Sequence, residues 1–114
     1  MAYYNGIQRV RDALVVAAPG RRANNCNIEI AYTNTQGAEQ HVILRVNRAT
    51  VLRDANGCRL GCSSFAAGQT VNAAFSEAMT RSLPPQARAY SITRTSVANS
   101  TPIQPRLGID IDMN

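Results

Sequence analysis

Apolar and polar residues alternate along most of this chain, whereas helical spacing is rare. The alternation is clearest at 26–33, 40–47, 69–79 and 88–95, and one further strand is predicted at about 7–17. Because successive side chains of a strand point to opposite faces, this period predicts half-buried antiparallel strands. The chain is therefore expected to be all-β.

The phase of the alternation predicts which side chains enter the core. In the segment 40–47, Val42, Leu44 and Val46 share one face, while His41 lies on the other. Three aromatic residues also fall on apolar phases, namely Tyr32, Phe75 and Tyr90, the last in phase with Ile92. These rings are expected in the core, where they are not free to stack on a ligand.

Turn sequences separate the predicted strands. NTQGAEQ and DANG are typical of tight turns, GCSSFAAG fits one short helical turn, and the prolines of RSLPPQ indicate a loop or a sheet edge. Short strands at this spacing, with one brief helical element, predict a small closed or nearly closed barrel. An OB-like barrel is the first expectation, and a jelly-roll-like sandwich is the alternative.

The last part of the chain differs from the rest. With 114 residues the chain fits one domain, which we assign to 1–96, followed by a Pro-containing arm and an extended strand within 97–114. In that strand, Ile109, Ile111 and Met113 alternate with polar residues. These three apolar side chains are the residues predicted to mediate assembly.

Ordering this last segment requires a partner. Fixing its six residues costs about 6–12 kcal/mol of backbone entropy. Burying the three apolar side chains returns about 4.5–9 kcal/mol. A hydrogen-bonded ladder with a sheet edge is therefore needed to order the strand. That edge belongs either to the same barrel or to a neighbouring chain, and the second case is strand addition.

The charge pattern permits a polyanion partner without specifying one. The net charge is +5, and the twelve basic residues are all arginines, scattered along the chain. Hydroxyl and guanidinium donors suited to phosphate or carboxylate occur at Thr80, Arg81, Ser82 and Arg88. The segment that carries them is expected first of all to join two strands, because prolines protect a sheet edge from stray pairing.

The cysteines leave their pairing open. Cys26, Cys58 and Cys62 allow at most one disulfide within the chain, and the third thiol is then free or pairs with another chain. In a reducing compartment all of them are expected to be small buried hydrophobic residues. With His41 they make a Cys₃His set, but the C-x₃-C spacing and the outward phase of His41 argue against a zinc site. We therefore predict no metal site and no cofactor.

A resemblance rests on the segments YYNGIQRVRD, TVLRD, AAGQTV and MTRSLPPQARAYSI, and on the lone cysteine before the second strand. Together these segments resemble a group of uncharacterised small β-barrel proteins from spore-forming bacteria. The resemblance implies an OB-like barrel in which a Pro-Pro-Gln loop leads into the last barrel strand. It supplies no activity, and Cys58 and Cys62 depart from the pattern of the group.

The sequence contains few catalytic signals. It has no nucleophile elbow, no Gly-rich phosphate loop and a single histidine, so we expect no enzyme. The function expected first is a structural subunit that associates with copies of itself through its last strand, as an oligomer or filament, with disulfide crosslinks as an option. The alternative is a binding module for an oligonucleotide, a glycan or another anionic ligand.

The sequence also favours a soluble chain. It shows neither a run long enough for membrane insertion nor the apolar stretch of a signal peptide. A location at the cell surface or outside the cell is expected if the thiols are oxidised, and a cytoplasmic location otherwise.

Overall fold

Six strands form the fold, in a computed structural model that describes residues 6–18 and 25–96. They are β1 (Ile7–Ala17), β2 (Cys26–Thr33), β3 (Glu39–Val46), β4 (Val51–Asp54), β5 (Thr70–Met79) and β6 (Gln86–Ser96). A short 3-10 helix at Cys62–Ser64 is the helical turn that GCSSFAAG predicts. No α-helix occurs in the described ranges, so the predicted all-β class is confirmed.

Hydrogen bonds connect the strands into a ring. The sheet order is β3-β2-β1-β5-β6-β4, and β3 pairs in addition with β6. Most neighbouring strands are antiparallel, but β6 is parallel to β3 and to β4. These two strands lie one after the other along the same edge of β6. This closure confirms the prediction of a small β-barrel-like domain.

The core fills the inside of this ring with branched and aromatic side chains. The predicted inward residues of β3 are buried, and His41 lies on the outside. The largest fully buried side chains come from five strands, and they are Phe75, Ile28, Ile30, Leu44, Ile92, Val15, Val42 and Val71. The two-residue period therefore predicts the core correctly in most strands, because it depends only on local backbone geometry.

A bulge in β1 changes the phase of that strand. The register with β5 shifts between Val10 and Ala13, and both of these residues face the core. Asp12 takes a positive φ of 55°, which Asp tolerates better than most residues, and its N–H donates to Oδ1 of Asn72 at 3.0 Å. The pairing of β1 with β2 begins only beyond this bulge, at Leu14.

A second irregularity corrects one prediction about the core. The register between β5 and β6 shifts between the pair of Ala74 with Ser91 and the pair of Phe75 with Ala89, so Tyr90 is an extra residue of β6. Ala89 is buried, whereas Tyr90 is half-buried and is not among the residues packed on the core. The prediction that Tyr90 shares the inward phase of Ile92 is therefore wrong, because strict alternation cannot anticipate an extra residue in the strand.

A disulfide ties the start of β2 to the 3-10 helix. Cys26 and Cys62 are joined across a sequence separation of 36 residues, with their Cα atoms 6.2 Å apart. Cys58 is exposed and carries a free thiol. The bond constrains the unfolded chain, since it closes a long loop that includes β2, β3 and β4.

Replacing both bonded cysteines with serine should lower the free energy of unfolding by about 2–4 kcal/mol, because the unfolded chain regains the entropy of the open loop. Urea denaturation followed by circular dichroism measures this difference. Cys58→Ser is the control, and we expect it to stay within about 0.5 kcal/mol of the unmodified chain. Equal stability of the double serine variant and the control would contradict the structural role of the bond.

Candidate functional site

The first half of β1 has a sheet partner on one side only. Its pairs with β5 extend from Ile7 to Leu14, whereas its pairs with β2 extend from Leu14 to Ala17. Within residues 6–18 and 25–96, the stretch 8–13 of β1 therefore pairs with β5 alone. In the described part of the chain the ring is open at this place, and we call this stretch the open edge.

The backbone orientation identifies the groups that the open edge presents. The carbonyl of Gly6 accepts a hydrogen bond from the N–H of Glu77 on the β5 side, at 3.0 Å. Because backbone groups of an extended strand alternate in direction, those of Ile7 and Arg9 point to the opposite side. An unpaired row of N–H and C=O groups is a template for another strand.

A cleft of about 250 Å³ lies along the open edge. It is lined by Gln8, Arg9, Val10 and Arg11 of β1, and by Tyr32, Thr33, Asn34 and Thr35 at the end of β2. Val10 and Tyr32 pack against the core, and the Tyr32 ring lies 6.2 Å from that of Phe75. The cleft therefore combines apolar side chains with the unpaired backbone of β1.

Gln8 and Tyr32 bridge the opening. Nε2 of Gln8 donates to Oη of Tyr32 at 3.3 Å. Burial raises the pKa of Tyr32, and the hydrogen bond from Gln8 offsets part of that rise. The phenol therefore stays neutral at physiological pH and is available as both donor and acceptor at the cleft.

Two arginines flank the cleft on the outer face of β1. Arg9 and Arg11 are exposed, and both also line a second cleft of about 160 Å³ on the β5 side, together with Asn72, Ser91 and Thr93. None of the residues that line the two clefts carries a carboxylate. The lining of the two clefts is therefore basic, a feature that the scattered arginines of the sequence concealed, while Asp12 of the open edge is also exposed and carries one carboxylate beside them.

The loop that carries Thr80 and Ser82 uses its hydroxyls internally. Oγ1 of Thr80 lies 2.6 Å from Oγ of Ser82, and it accepts a hydrogen bond from the N–H of Gln86 at 2.9 Å. Oγ of Ser82 donates to the carbonyl of Pro84 at 2.9 Å. These bonds shape the connection between β5 and β6. Joining two strands is the role that the sequence predicts first for this segment.

The two arginines predicted with that loop remain exposed. Arg81 lies within the loop, while Arg88 lies on β6 directly across from Arg45 of β3. Like charges at facing positions repel each other. The structure thus gives Arg88 a basic neighbour, and no contact joins Arg81 or Arg88 to the loop hydroxyls among the described hydrogen bonds.

His41 is held between two carboxylates on the outer face of the sheet. Its Nδ1 lies 3.1 Å from Oε2 of Glu29, and its Nε2 lies 2.7 Å from Oε2 of Glu39. The hydrogen bond to Glu29, followed by that to Glu39, raises the pKa of His41 above its usual 6.5. Glu29 lies on the neighbouring strand β2, and Glu39 lies two residues before His41 on β3, so all three side chains share one face of the sheet. These two relationships are the signal by which the sequence could have indicated the cluster.

The Cys₃His zinc set is not assembled. Cys26 and Cys62 are bonded to each other, so two of its four members are not available as thiolates. In the part of the chain that the structure describes, no group of three or more His, Cys, Asp or Glu side chains is placed to hold a metal ion.

The predicted assembly residues lie outside the described residues. Ile109, Ile111 and Met113 belong to 97–114, so the strand expected there stays a prediction. Among the described ranges, no helix is both long and apolar enough to cross a membrane. Comparison with models of protein families, with curated proteins and with solved structures finds no match. The resemblance to the small barrel proteins of spore-forming bacteria stays a prediction as well.

The His41 cluster makes a direct prediction about pH. The midpoint of the His41 titration, followed by NMR of its ring protons, should lie above 6.5, and Glu29→Gln should lower it because the main partner of the imidazolium is lost. Since the folded pKa is raised, the cluster stabilises the fold fully below pH 6.5 and loses that effect as the pH rises through the folded pKa.

Glu77→Gln is the matched control for this titration. Glu77 is an exposed glutamate on β5 and has no described contact with His41. Its replacement should leave the midpoint unchanged. A His41 midpoint at or below 6.5 in the unmodified protein would show that the two carboxylates do not hold the imidazolium.

Proposed function

We propose that this protein is a non-enzymatic structural subunit that associates with copies of itself by strand addition. In this proposal, residues 108–114 of one chain pair with the open edge of β1 in another. The observation that supports it is the one-sided pairing of 8–13 in β1. Backbone hydrogen bonds supply the affinity in such pairings, and side-chain pockets supply the specificity.

The energetics of the donor segment fit this acceptor. Its apolar side chains alone do not offset the entropy lost on ordering, so it requires a row of backbone donors and acceptors. Ile7 and Arg9 direct such groups away from β5, toward the cleft. The acceptor therefore offers the component that the donor lacks.

The connecting arm is long enough to reach another molecule. Residues 97–107 number eleven, and an extended chain of that length spans up to about 35–40 Å. Pro102 and Pro105 favour extended conformations, which lowers the entropy lost when the arm docks. A head-to-tail donor and acceptor make a ring if the rotation closes and a filament if it does not.

The proposal includes an OB-like barrel. Its support is the ring of strands in the order β1-β2-β3-β6-β5, in which only the pairing of β3 with β6 is parallel. In chain order, the 3-10 helix lies between β4 and β5. A ring of paired strands, in which β1 joins β2 through its second half, favours a barrel over a jelly-roll-like sandwich of two sheets.

The disulfide supports a location in an oxidising compartment, such as the cell surface or the exterior, where such bonds persist. There the exposed thiol of Cys58 is available for a crosslink between chains. Electrophoresis under non-reducing and reducing conditions separates covalent from strand-mediated association.

Binding of an anionic ligand is the second candidate function, and the basic flank of the open edge is the observation that favours it. Retention on heparin or single-stranded DNA that weakens with salt would support this function. The internal hydrogen bonds of Thr80 and Ser82 leave the predicted ligand loop with only its guanidinium groups. We therefore place self-association first.

Removing residues 108–114 should leave a folded barrel that no longer associates, because six strands within the described residues 6–18 and 25–96 form the sheet. Ile111→Asp in the full chain should weaken association about tenfold or more, since a buried isoleucine is worth about 1.5–3 kcal/mol. Light scattering over a wide concentration range measures association, and circular dichroism confirms the fold.

Ile103→Asp is the matched control, because it adds the same charge within the arm but outside the alternating segment. It should associate as the unmodified chain does. A strictly monomeric unmodified protein, or a truncated chain that associates as strongly as the full one, would refute strand addition.

A further inference from the structure

Over residues 8–11 the open edge alternates between two kinds of side chain, and the exposed Asp12 follows them at the bulge. Gln8 and Val10 face inward and are half-buried, whereas Arg9 and Arg11 face outward and are exposed. The strand that joins this edge therefore meets an apolar side, with Val10 and the Tyr32 ring, and a cationic side.

The donor segment has the same period and the opposite charge. Ile109, Ile111 and Met113 fall on one phase, and Asp110 and Asp112 fall on the other. When a strand with this pattern turns its apolar phase toward Val10, its carboxylates come to the side of the arginines. The match holds for parallel and antiparallel pairing alike, because both strands repeat every two residues.

We infer that Arg9 and Arg11 of the acceptor pair with Asp110 and Asp112 of the donor strand and thereby select it and set its register. This inference rests on the proposed function, and it names the partner of the edge as the 108–114 segment of a second copy of this chain. Directly opposite side chains of paired strands lie about 4.5–5.5 Å apart at Cβ, which is within reach of an Arg–Asp pair.

Register follows from the same alternation. A slip by one residue moves every side chain of the donor to the other face. It would place Asp110 and Asp112 against Val10 and leave Ile109 and Ile111 in water. Both consequences are unfavourable, because an unpaired carboxylate on an apolar surface loses its hydration.

Other sheet margins of the described barrel fit this donor less well. The outer side of β4 is covered by 58–60, where the N–H of Leu60 donates to the carbonyl of Leu52 at 2.9 Å. The margins at the start of β3 and the end of β5 carry the exposed residues Glu39 and Glu77. These carboxylates would repel an acidic strand, whereas the two arginines of the open edge attract it and outnumber the single carboxylate of Asp12.

The test exchanges the charges between donor and acceptor. The acceptor variant is Arg9→Glu/Arg11→Glu with the natural tail, and the donor variant is Asp110→Arg/Asp112→Arg with the natural edge. Alone, each variant brings like charges together, and each should associate about tenfold more weakly than the unmodified chain. In an equimolar mixture each tail meets an edge of opposite charge, so association should return.

Matched controls separate pairing from net charge and from loss of fold. Arg45→Glu/Arg88→Glu changes the net charge by the same amount at exposed facing positions outside the cleft, and its association should equal that of the unmodified chain. Circular dichroism checks the fold of each variant. If the acceptor variant does not fold, Arg9→Gln/Arg11→Gln replaces it, with a smaller expected loss and recovery in the mixture.

The outcomes distinguish this inference from the proposed function. Association that both charge variants leave unchanged would overturn the Arg–Asp pairing while strand addition stands. Variants that lose association and do not recover it when mixed would also overturn the pairing between chains. An unmodified chain that stays monomeric in analytical ultracentrifugation would overturn the proposed function itself. Recovery in the mixture alone supports the inference.

Discussion

The pairing of β1 with β2 stops where β2 ends and β1 bulges. Leu14 lies opposite Ala31, so only two further residues of β2 remain before that strand ends at Thr33, and the bulge of β1 at Asp12 lies at the same place. A strand inside a barrel must satisfy its backbone groups on both sides, either with neighbouring strands or with water. Beyond the bulge, Leu14 to Ala17 achieve this with β2. Before it, the ladder with β5 continues while β2 turns away into the segment of Asn34. The open edge is the direct result.

The same bulge also shapes the side chains around the opening. It places Val10 and Ala13 both toward the core, although alternation would separate them. Val10 therefore supplies apolar surface at the cleft, and the arginines on either side of it face outward. An edge with a hydrophobic side, a basic side and unpaired backbone groups is suited to an acidic, alternating strand more than to a flat neutral one.

Local features of this fold are predictable from the sequence, whereas features that join distant segments are not. The alternation at 40–47 places Val42, Leu44 and His41 correctly, because the period is a property of the strand itself. The bond of Cys26 with Cys62 depends on how β2 meets the 3-10 helix, so spacing alone left the pairing of three cysteines open. Bulges defeat the pattern for a related reason, since each depends on a partner strand, as Tyr90 shows.

The candidate site divides in the same way. The donor half that we propose is an alternating pattern of six residues, which is visible in the sequence. Its acceptor half combines Arg9, Arg11 and Tyr32, which only the topology brings together. The loop at Thr80 and Ser82 was the more visible candidate, but hydroxyl groups near prolines serve turns as readily as ligands. Their internal hydrogen bonds favour the role in the turn.

Amide hydrogen exchange at Arg9 tests the central claim most directly. The N–H of this residue points away from β5, so its protection reports whether another strand occupies the open edge. We predict slow exchange in concentrated samples, where chains associate, and fast exchange both on dilution and after removal of residues 108–114. Exchange that is fast at every concentration, or slow without dependence on concentration or on the tail, would contradict strand addition between chains.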